Sequence, residues 1–262
     1  MFVKSAFKKG KLSFKDCHAC LLSQNDFAEN CFSQLEIPAS ILNLGIAPLH
    51  ILLRSMEFCF YLAITLKVGK CTQKSPEFLA QKKEFKQKFR EELNLRLFEV
   101  DKDFGSSNVG NSCRKFFKEA EKTSEILDLP VEIIEAFHGL NTIISTTHEL
   151  SNLSEFKELS NFLLTMLTIE PFSQKQLIPT VHRALCHFEA YYRHFEFLQL
   201  PFGSLSESAL EARNKYTHRF RENLCFKGTL KKNLRDLGIR SLLASDPLIS
   251  LNIRQIENRK SV

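Results

Sequence analysis

The sequence contains no tryptophan, only three methionines and nine glycines, and no internal repeat or low-complexity linker. These absences exclude repeat architectures and low-complexity chains. A hydrophobic content of 44% and a charged content of 25% in 262 residues are ordinary for a globular protein of one or two domains with a sizeable core. The 24 phenylalanines are spaced like packing residues of helices and not like a base-stacking platform.

The N-terminus has no apolar stretch long enough to act as a secretory signal. We therefore expect the eight cysteines to be reduced, which favours metal ligation or plain burial over disulfide bonds. The longest apolar stretch, residues 41–68, carries His50, Arg54 and Glu57, whose polar and charged groups a bilayer would penalise. We predict one or two buried helices in this stretch, with His50 as a core histidine, and no membrane span.

Excess positive charge is confined to the end of the chain. Residues 1–210 contain 24 Lys and Arg against 25 Asp and Glu, a net of −1, whereas residues 211–262 contain 12 against 5, a net of +7. Such a surplus is typical of a surface that binds a polyanion. A solvated basic tail without a partner is the alternative.

Apolar residues recur at helical spacing through most of the chain, and no stretch alternates as a β-strand does. We therefore predict a mainly α fold, with a loop at residues 101–112 because that segment is rich in Gly, Ser and Asn. One helical stripe after Pro76 consists of Phe78, Phe85, Phe89, Leu93 and Leu97. Further helices are expected over residues 49–66, 113–127, 129–150, 154–169, 179–198 and 204–223.

Cys17 and Cys20 have the C-x2-C spacing that lets two thiolates reach one zinc ion. A structural zinc needs four ligands, and no second C-x2-C follows in the sequence. The remaining ligands would have to come from a distant part of the chain.

The best candidates for those ligands are His182, Cys186, His187 and His194, in the segment VHRALCHFEAYYRHF. A separation of four residues puts His182 and Cys186 on one helical face, whereas His182 and His187 lie about 140° apart around the helix. His182 and His187 can both reach one ion if His182 sits in the first turn, close after Pro179. The alternative is that all of them are ordinary residues of an amphipathic helix.

Five short motifs, in this order, resemble the C-terminal half of Transib-type DNA transposases and of the related catalytic subunit of the V(D)J recombinase. They are CHACLLSQNDFAEN, LGIAPLHILLRSMEF, FKQKFREELNLRLF with GSSNVGNSCRKFF behind it, VHRALCHF, and LPFGSLSESALEARNK, and together they span nearly the whole chain. The resemblance implies that one structural zinc is bound by Cys17, Cys20, His182 and His187, which favours His187 over Cys186.

The fold implied by the resemblance is the helical zinc-binding insert and C-terminal region of a ribonuclease-H-like (DDE) transposase, without the catalytic sheet. It divides the chain into four segments. These are an N-terminal segment with the first zinc half-site (1–40), a helical insert (41–178), a helix with the second half-site (179–200), and a basic region with the catalytic-glutamate-like helix (201–262).

In this family three carboxylates hold two divalent ions that activate water or a DNA 3′-hydroxyl. By motif match the helix-borne glutamate is Glu211; without the resemblance, Glu211 is an exposed carboxylate that pairs with Lys215. The two family aspartates lie upstream of the first zinc half-site, and nothing in residues 1–16 resembles their strands. We therefore expect that this chain alone neither cuts nor joins DNA, and that Mg²⁺ or Mn²⁺ matters only with an upstream catalytic core.

These observations predict a transposase-derived, zinc-binding nuclear protein that binds DNA, with a homodimer left open and with no membrane or small-molecule partner. One alternative is the C-terminal portion of an active transposase or recombinase that performs two-metal DNA cleavage and strand transfer. The other is a helical interaction scaffold with no DNA role. The expected DNA contacts are Arg213, Lys215, Arg219, Arg221, Lys231 and Lys232.

Overall fold

The computed structural model describes residues 17, 19–20, 37–42, 45–69, 72–98, 100–101, 105–106, 108–146, 153–174, 176–198, 201–205, 217–218, 220–225 and 228–243. The chain forms two compact units, Met1–Ser206 and Glu207–Val262, which we describe separately. The division into four segments made from the sequence stays a prediction.

The first unit is helical, as the sequence predicts. Within its described residues the β-structure is one antiparallel hairpin of two-residue strands, β1 (Val100–Asp101) and β2 (Gly105–Ser106), in the predicted loop. Short 3₁₀ turns occur at Phe172–Gln174, Glu196–Leu198 and Phe202–Leu205. The α-helices are α1 (Ala39–Leu42), α2 (Pro48–Val68), α3 (Pro76–Leu93), α4 (Gly110–Lys118), α5 (Ala120–Leu127), α6 (Val131–Ser145), α7 (Ser154–Thr168) and α8 (Pro179–Phe195).

Helix α2 is the centre of this unit and packs against α3, α4, α6 and α8. Pro48 suits its first turn because a proline has no N–H to leave unpaired there. By length and composition α2 is one helix that could cross a membrane, but a core helix passes the same test, and most of α2 is buried against its neighbours. His50 is exposed in the first turn, so its prediction as a core histidine was wrong: its neighbours Leu49 and Ile51 take the buried positions.

Helix α3 bears out its predicted stripe. The Ser75 hydroxyl caps its N-terminus by accepting a hydrogen bond from the Phe78 N–H at 3.2 Å. Aromatic contacts link the buried stripe to the other helices, with ring centroids 5.7 Å apart for Phe60 and Phe85 and 5.3 Å apart for Phe89 and Phe116. The buried residues of the stripe are Phe78, Phe85, Phe89, Leu93 and, beyond the helix end, Leu97.

The predicted continuous helix over 113–127 is instead two helices, because the backbone of Glu119 leaves the helical conformation between α4 and α5. The Thr123 hydroxyl donates to the Phe116 carbonyl at 2.7 Å and so gives a partner to a carbonyl at the end of α4. Helix α4 also begins earlier than predicted, at Gly110. A Cβ there would lie 2.9 Å from Leu49 Cδ1, so glycine allows α4 to start close against α2.

Helix α8 is held from several sides, by α1, α2 and α7. The buried Ser160 hydroxyl of α7 donates to the Leu185 carbonyl at 2.6 Å. On the same helix, the ring centroid of Phe188 lies 4.6 Å from that of Phe156 and 5.0 Å from that of Phe202. These contacts fix α8 in position and register.

The described helical elements of the second unit include a π-helical turn, Phe220–Leu224, and α9 (Leu230–Leu243). Helix α9 packs against the π-helical turn. The side chains of Arg221, Lys231 and Lys232 are exposed.

We predict that Gly203→Ala destabilises the first unit. The Gly203 N–H donates to the Thr146 carbonyl at 3.0 Å just past the end of α6, and an added Cβ would lie 2.2 Å from the Ser145 carbonyl oxygen. Because both groups are backbone, the turn must move, which costs on the order of 2 kcal/mol. Urea denaturation followed by circular dichroism measures this loss.

Gly238→Ala is the matched control, because a Cβ there meets no atom within 4 Å and lies inside α9. Alanine at that position should stabilise its helix by about 0.5–1 kcal/mol. Equal effects of the two substitutions would contradict the packing assigned to Gly203.

Candidate metal centre

The C-x2-C segment is anchored in the core of the first unit. Cys17 is fully buried and Ala19 nearly so, and both belong to the hydrophobic core. Cys20 is half-buried at its edge. The two thiols therefore face the interior of the protein and not the solvent.

Helix α8 supplies the two histidines. Pro179 begins the helix, and the His182 N–H donates to the Ile178 carbonyl at 2.9 Å, so His182 lies in the first turn. His182 is fully buried and His187 is 5% exposed. Although five residues separate them, their rings lie edge to face with centroids 5.0 Å apart. The condition set by the sequence, a histidine in the first turn after Pro179, is met.

The four residues named by the resemblance come together at one point. One ligand atom from each of Cys17, Cys20, His182 and His187 lies within 4.8 Å of the other three. The distance from Cys20 Sγ to His182 Nε2 is 3.5 Å. A tetrahedron with metal–sulfur bonds of about 2.3 Å and metal–nitrogen bonds of about 2.05 Å has sulfur–nitrogen edges of about 3.5 Å. These residues can hold one metal ion, and the spacing is compatible with zinc.

His187 provides the clearest sign that the cluster fits a metal. Its Nε2 atom is buried and has no hydrogen-bond partner. A buried polar atom without a partner is costly and calls for an explanation, of which an ion is one. A metal ion bound among the four residues would satisfy this nitrogen.

The surroundings of Cys17 and His182 favour the neutral forms of these two side chains in the metal-free protein. A hydrogen bond with Cys20 and then burial raise the pKa of the Cys17 thiol. Burial lowers the pKa of His182, against the opposing effect of its hydrogen bond with Cys20. A neutral imidazole is ready to bind a metal, whereas the thiols must lose their protons as the metal enters.

Cys186 lies outside this four-residue cluster. Its Sγ atom is 3.5 Å from Nδ1 of His182, the ring nitrogen other than the one near Cys20. The four-residue spacing correctly predicted that His182 and Cys186 share a face, but the convergent set contains His187 instead.

Sequence reasoning did not single out Tyr191 and Arg183, which lie beside the cluster on α8. Tyr191 is nearly fully buried, and burial raises the pKa of its hydroxyl. The guanidinium of Arg183, hydrogen-bonded to Tyr191, acts in the opposite direction. Arg183 and Tyr191 are two helical turns apart, a spacing too common in amphipathic helices to mark a site.

The other described cysteines of the first unit pack in the core. Cys113 Sγ lies 3.4 Å from Met56 Sδ, and burial raises the pKa of this thiol to about 12. Cys59 is fully buried in α2 and its thiol pKa is also raised by burial. Buried thiols of this kind are inert, so both residues serve as controls for the metal centre.

The proposed DNA-contacting residues are only partly placed. Arg221, Lys231 and Lys232 belong to the second unit and are exposed. Glu211, Arg213, Lys215 and Arg219 lie outside the described residues.

No protein-family model matches this chain, and no curated protein is significantly similar to it.

We predict that the purified chain binds one Co²⁺ at the cluster, with thiolate-to-cobalt absorption in the near ultraviolet. At pH 7, below the usual thiol pKa, binding should release about two protons, one from Cys17 and one from Cys20. The Cys17→Ser/Cys20→Ser variant should lose the absorption, and Cys59→Ala should keep it. Absorption that survives the double substitution would show that the metal binds elsewhere.

Proposed function

We propose that this chain is a zinc-stabilised, nuclear, DNA-binding protein derived from the C-terminal region of a Transib-type transposase. In this proposal the first unit is a folded module held by one structural zinc, and the basic second unit contacts DNA. The single observation that carries the proposal is the convergence of Cys17, Cys20, His182 and His187.

The convergence supports the resemblance because the two half-sites are far apart in sequence. Cys20 and His182 are separated by 162 positions and yet their side chains lie in contact. The resemblance, and not the spacing, selected His187 in place of Cys186, and His187 is the residue with the orphaned ring nitrogen. The residues that converge are therefore those that the resemblance names, and not the set that helical spacing favoured.

The role proposed for zinc is structural. Four protein ligands leave no open coordination position for a substrate or for a water to be activated. The ion would instead close a loop of about 160 residues, and the free energy of metal binding would become free energy of folding.

We predict that removing the metal lowers the melting temperature by about 10 °C or more. In a chain of this size each kcal/mol of lost stability displaces the melting temperature by about 2–4 °C, and a structural zinc contributes several kcal/mol. Thermal unfolding of the zinc-loaded protein, with and without EDTA, measures the shift, and elemental analysis should give about one zinc per chain.

His182→Ala should abolish the shift caused by EDTA, because one ligand is missing. Cys59→Ala is the control: it lowers stability by opening a small cavity but should retain the full EDTA effect. A well-folded wild-type chain with no zinc and no EDTA effect would remove the proposed zinc site.

The DNA-binding proposal depends on charge. Residues 211–262 carry a net charge of +7, and three of their cations, Arg221, Lys231 and Lys232, are exposed. Exposed Lys and Arg bind phosphate by displacing condensed counterions, so the affinity depends on salt and little on base sequence.

Glu211 is the one residue of this chain that the resemblance assigns to the catalytic carboxylates. A single carboxylate does not hold the two divalent ions that phosphoryl transfer of this type uses. We therefore assign DNA binding, and not DNA cleavage, to the residues of this chain.

We predict that Arg221→Ala/Lys231→Ala/Lys232→Ala weakens binding to a DNA duplex and reduces the slope of log K against log salt by up to about 3. Fluorescence anisotropy over a series of salt concentrations measures both quantities.

Lys83→Ala/Lys118→Ala/Lys122→Ala is the matched control. It removes the same charge from three exposed lysines of the first unit and should leave the slope nearly unchanged. An equal loss of DNA affinity in both variants would show that binding depends on net charge and not on the three cations of the second unit. If the wild type does not bind DNA at low salt, a helical interaction scaffold becomes the better account.

A further inference from the structure

His182 lies between two sulfur atoms. Its Nε2 is 3.5 Å from Cys20 Sγ, inside the metal cluster, and its Nδ1 is 3.5 Å from Cys186 Sγ, outside it. Cys186 is four residues further along α8, so the helix itself sets this second contact.

The two contacts impose different roles on the two nitrogens. A neutral imidazole has one nitrogen that accepts and one that carries a proton. If Nε2 gives its lone pair to a metal, Nδ1 must carry the proton, and because His182 is fully buried that N–H needs an acceptor. The sulfur of Cys186 is within reach of it as a weak acceptor.

Cys186 is badly placed to be a ligand itself. The lone pairs of the two imidazole nitrogens diverge within the ring plane, so a metal bound at Nε2 lies on the far side of the ring from Cys186. The fourth coordination position already has a candidate in His187, which belongs to the cluster and whose buried Nε2 has no hydrogen-bond partner.

We propose that Cys186 is a positioning residue of the metal centre. It accepts the Nδ1–H of His182, and this hydrogen bond fixes the tautomer and the ring orientation that aim Nε2 at the metal. The proposal rests on the proposed metal site. Partners of this kind, on the outer nitrogen of a ligating histidine, change metal affinity by about 10- to 100-fold.

The test compares two substitutions in the full-length chain, with Co²⁺ as the spectroscopic probe and Zn²⁺ measured by competition with a chelator. Cys186→Val removes the acceptor and keeps a side chain of similar bulk, so both affinities should fall about 10- to 100-fold. Cys186→Asp supplies a carboxylate acceptor and should bring the affinity back to within a few-fold of wild type. The thiolate-to-cobalt absorption per bound ion should be the same in all three proteins, because the two ligating thiolates are unchanged.

Cys113→Val is the matched control, since it makes the same substitution at a buried thiol that contacts Met56, and it should leave metal affinity unchanged. Circular dichroism on each variant separates loss of fold from loss of affinity. If Cys186→Val does not fold, Cys186→Asp and Cys186→Ala provide the same comparison.

Three results would overturn the proposal. Loss of about a third of the thiolate-to-cobalt absorption in Cys186→Val would make Cys186 a ligand. If Cys186→Val kept the wild-type metal affinity, the contact between Cys186 and His182 would not orient the imidazole ring. If the Val and Asp variants lost metal affinity equally, the role of Cys186 would be packing and not hydrogen bonding. Failure of the proposed metal site itself would give a result distinct from these three, because the wild-type chain would then bind no metal at all.

Discussion

The structure of the first unit depends on one long-range constraint, the meeting of the C-x2-C segment with the first turns of α8. A loop of this length is expensive to close in entropy, although the cost grows only slowly with length. In the metal-free protein the meeting is held by the burial of Cys17 and Ala19 and by a weak contact between Cys20 and His182. A metal ion bound by the four residues would replace that weak contact with four strong bonds, and it would remove the cost of burying His187 Nε2 without a partner.

A metal centre of this kind is only as well defined as the element that carries its ligands. Helix α8 is fixed by the hydrogen bond from Ser160 to the Leu185 carbonyl and by the packing of Phe188 between Phe156 and Phe202. Leu185 and Phe188 both lie within two positions of His187 in the sequence. The core of the protein thus sets the orientation of the histidines before any metal binds, which lowers the entropy cost of binding.

The sequence predicts those parts of the fold that depend on local spacing. The stripe of Phe78, Phe85 and Phe89 is buried because an amphipathic helix has one face for the core. The break at Glu119 and the exposure of His50 did not follow from spacing, because both depend on where neighbouring helices lie. The spacing of apolar residues predicts which face of a helix is buried. It does not predict which neighbouring helix packs on that face, or how many of its residues that helix buries.

The candidate metal centre is a second case in which local spacing does not predict the tertiary neighbours of a residue. Helical spacing favoured Cys186 as the partner of His182, and the two residues do touch, yet the metal cluster takes His187. Cys186 contacts Nδ1 of His182, whereas the C-x2-C segment contacts Nε2 on the other side of the ring. The contact of Nε2 with Cys20 is decided by the approach of the C-x2-C segment, which helical spacing does not determine.

The placement of charge distinguishes the proposed metal centre from the zinc modules that read DNA, in which the metal holds a basic helix against the groove. On α8 the carboxylate of Glu189 pairs with Lys157 at 3.0 Å and with Arg193 at 2.7 Å, so both of these cations are engaged within the first unit. The cations that suit phosphate are instead on the second unit, at Arg221, Lys231 and Lys232. In the proposed function the metal stabilises the first unit and the cations of the second unit bind DNA, so the two properties can be tested by substitutions in different units.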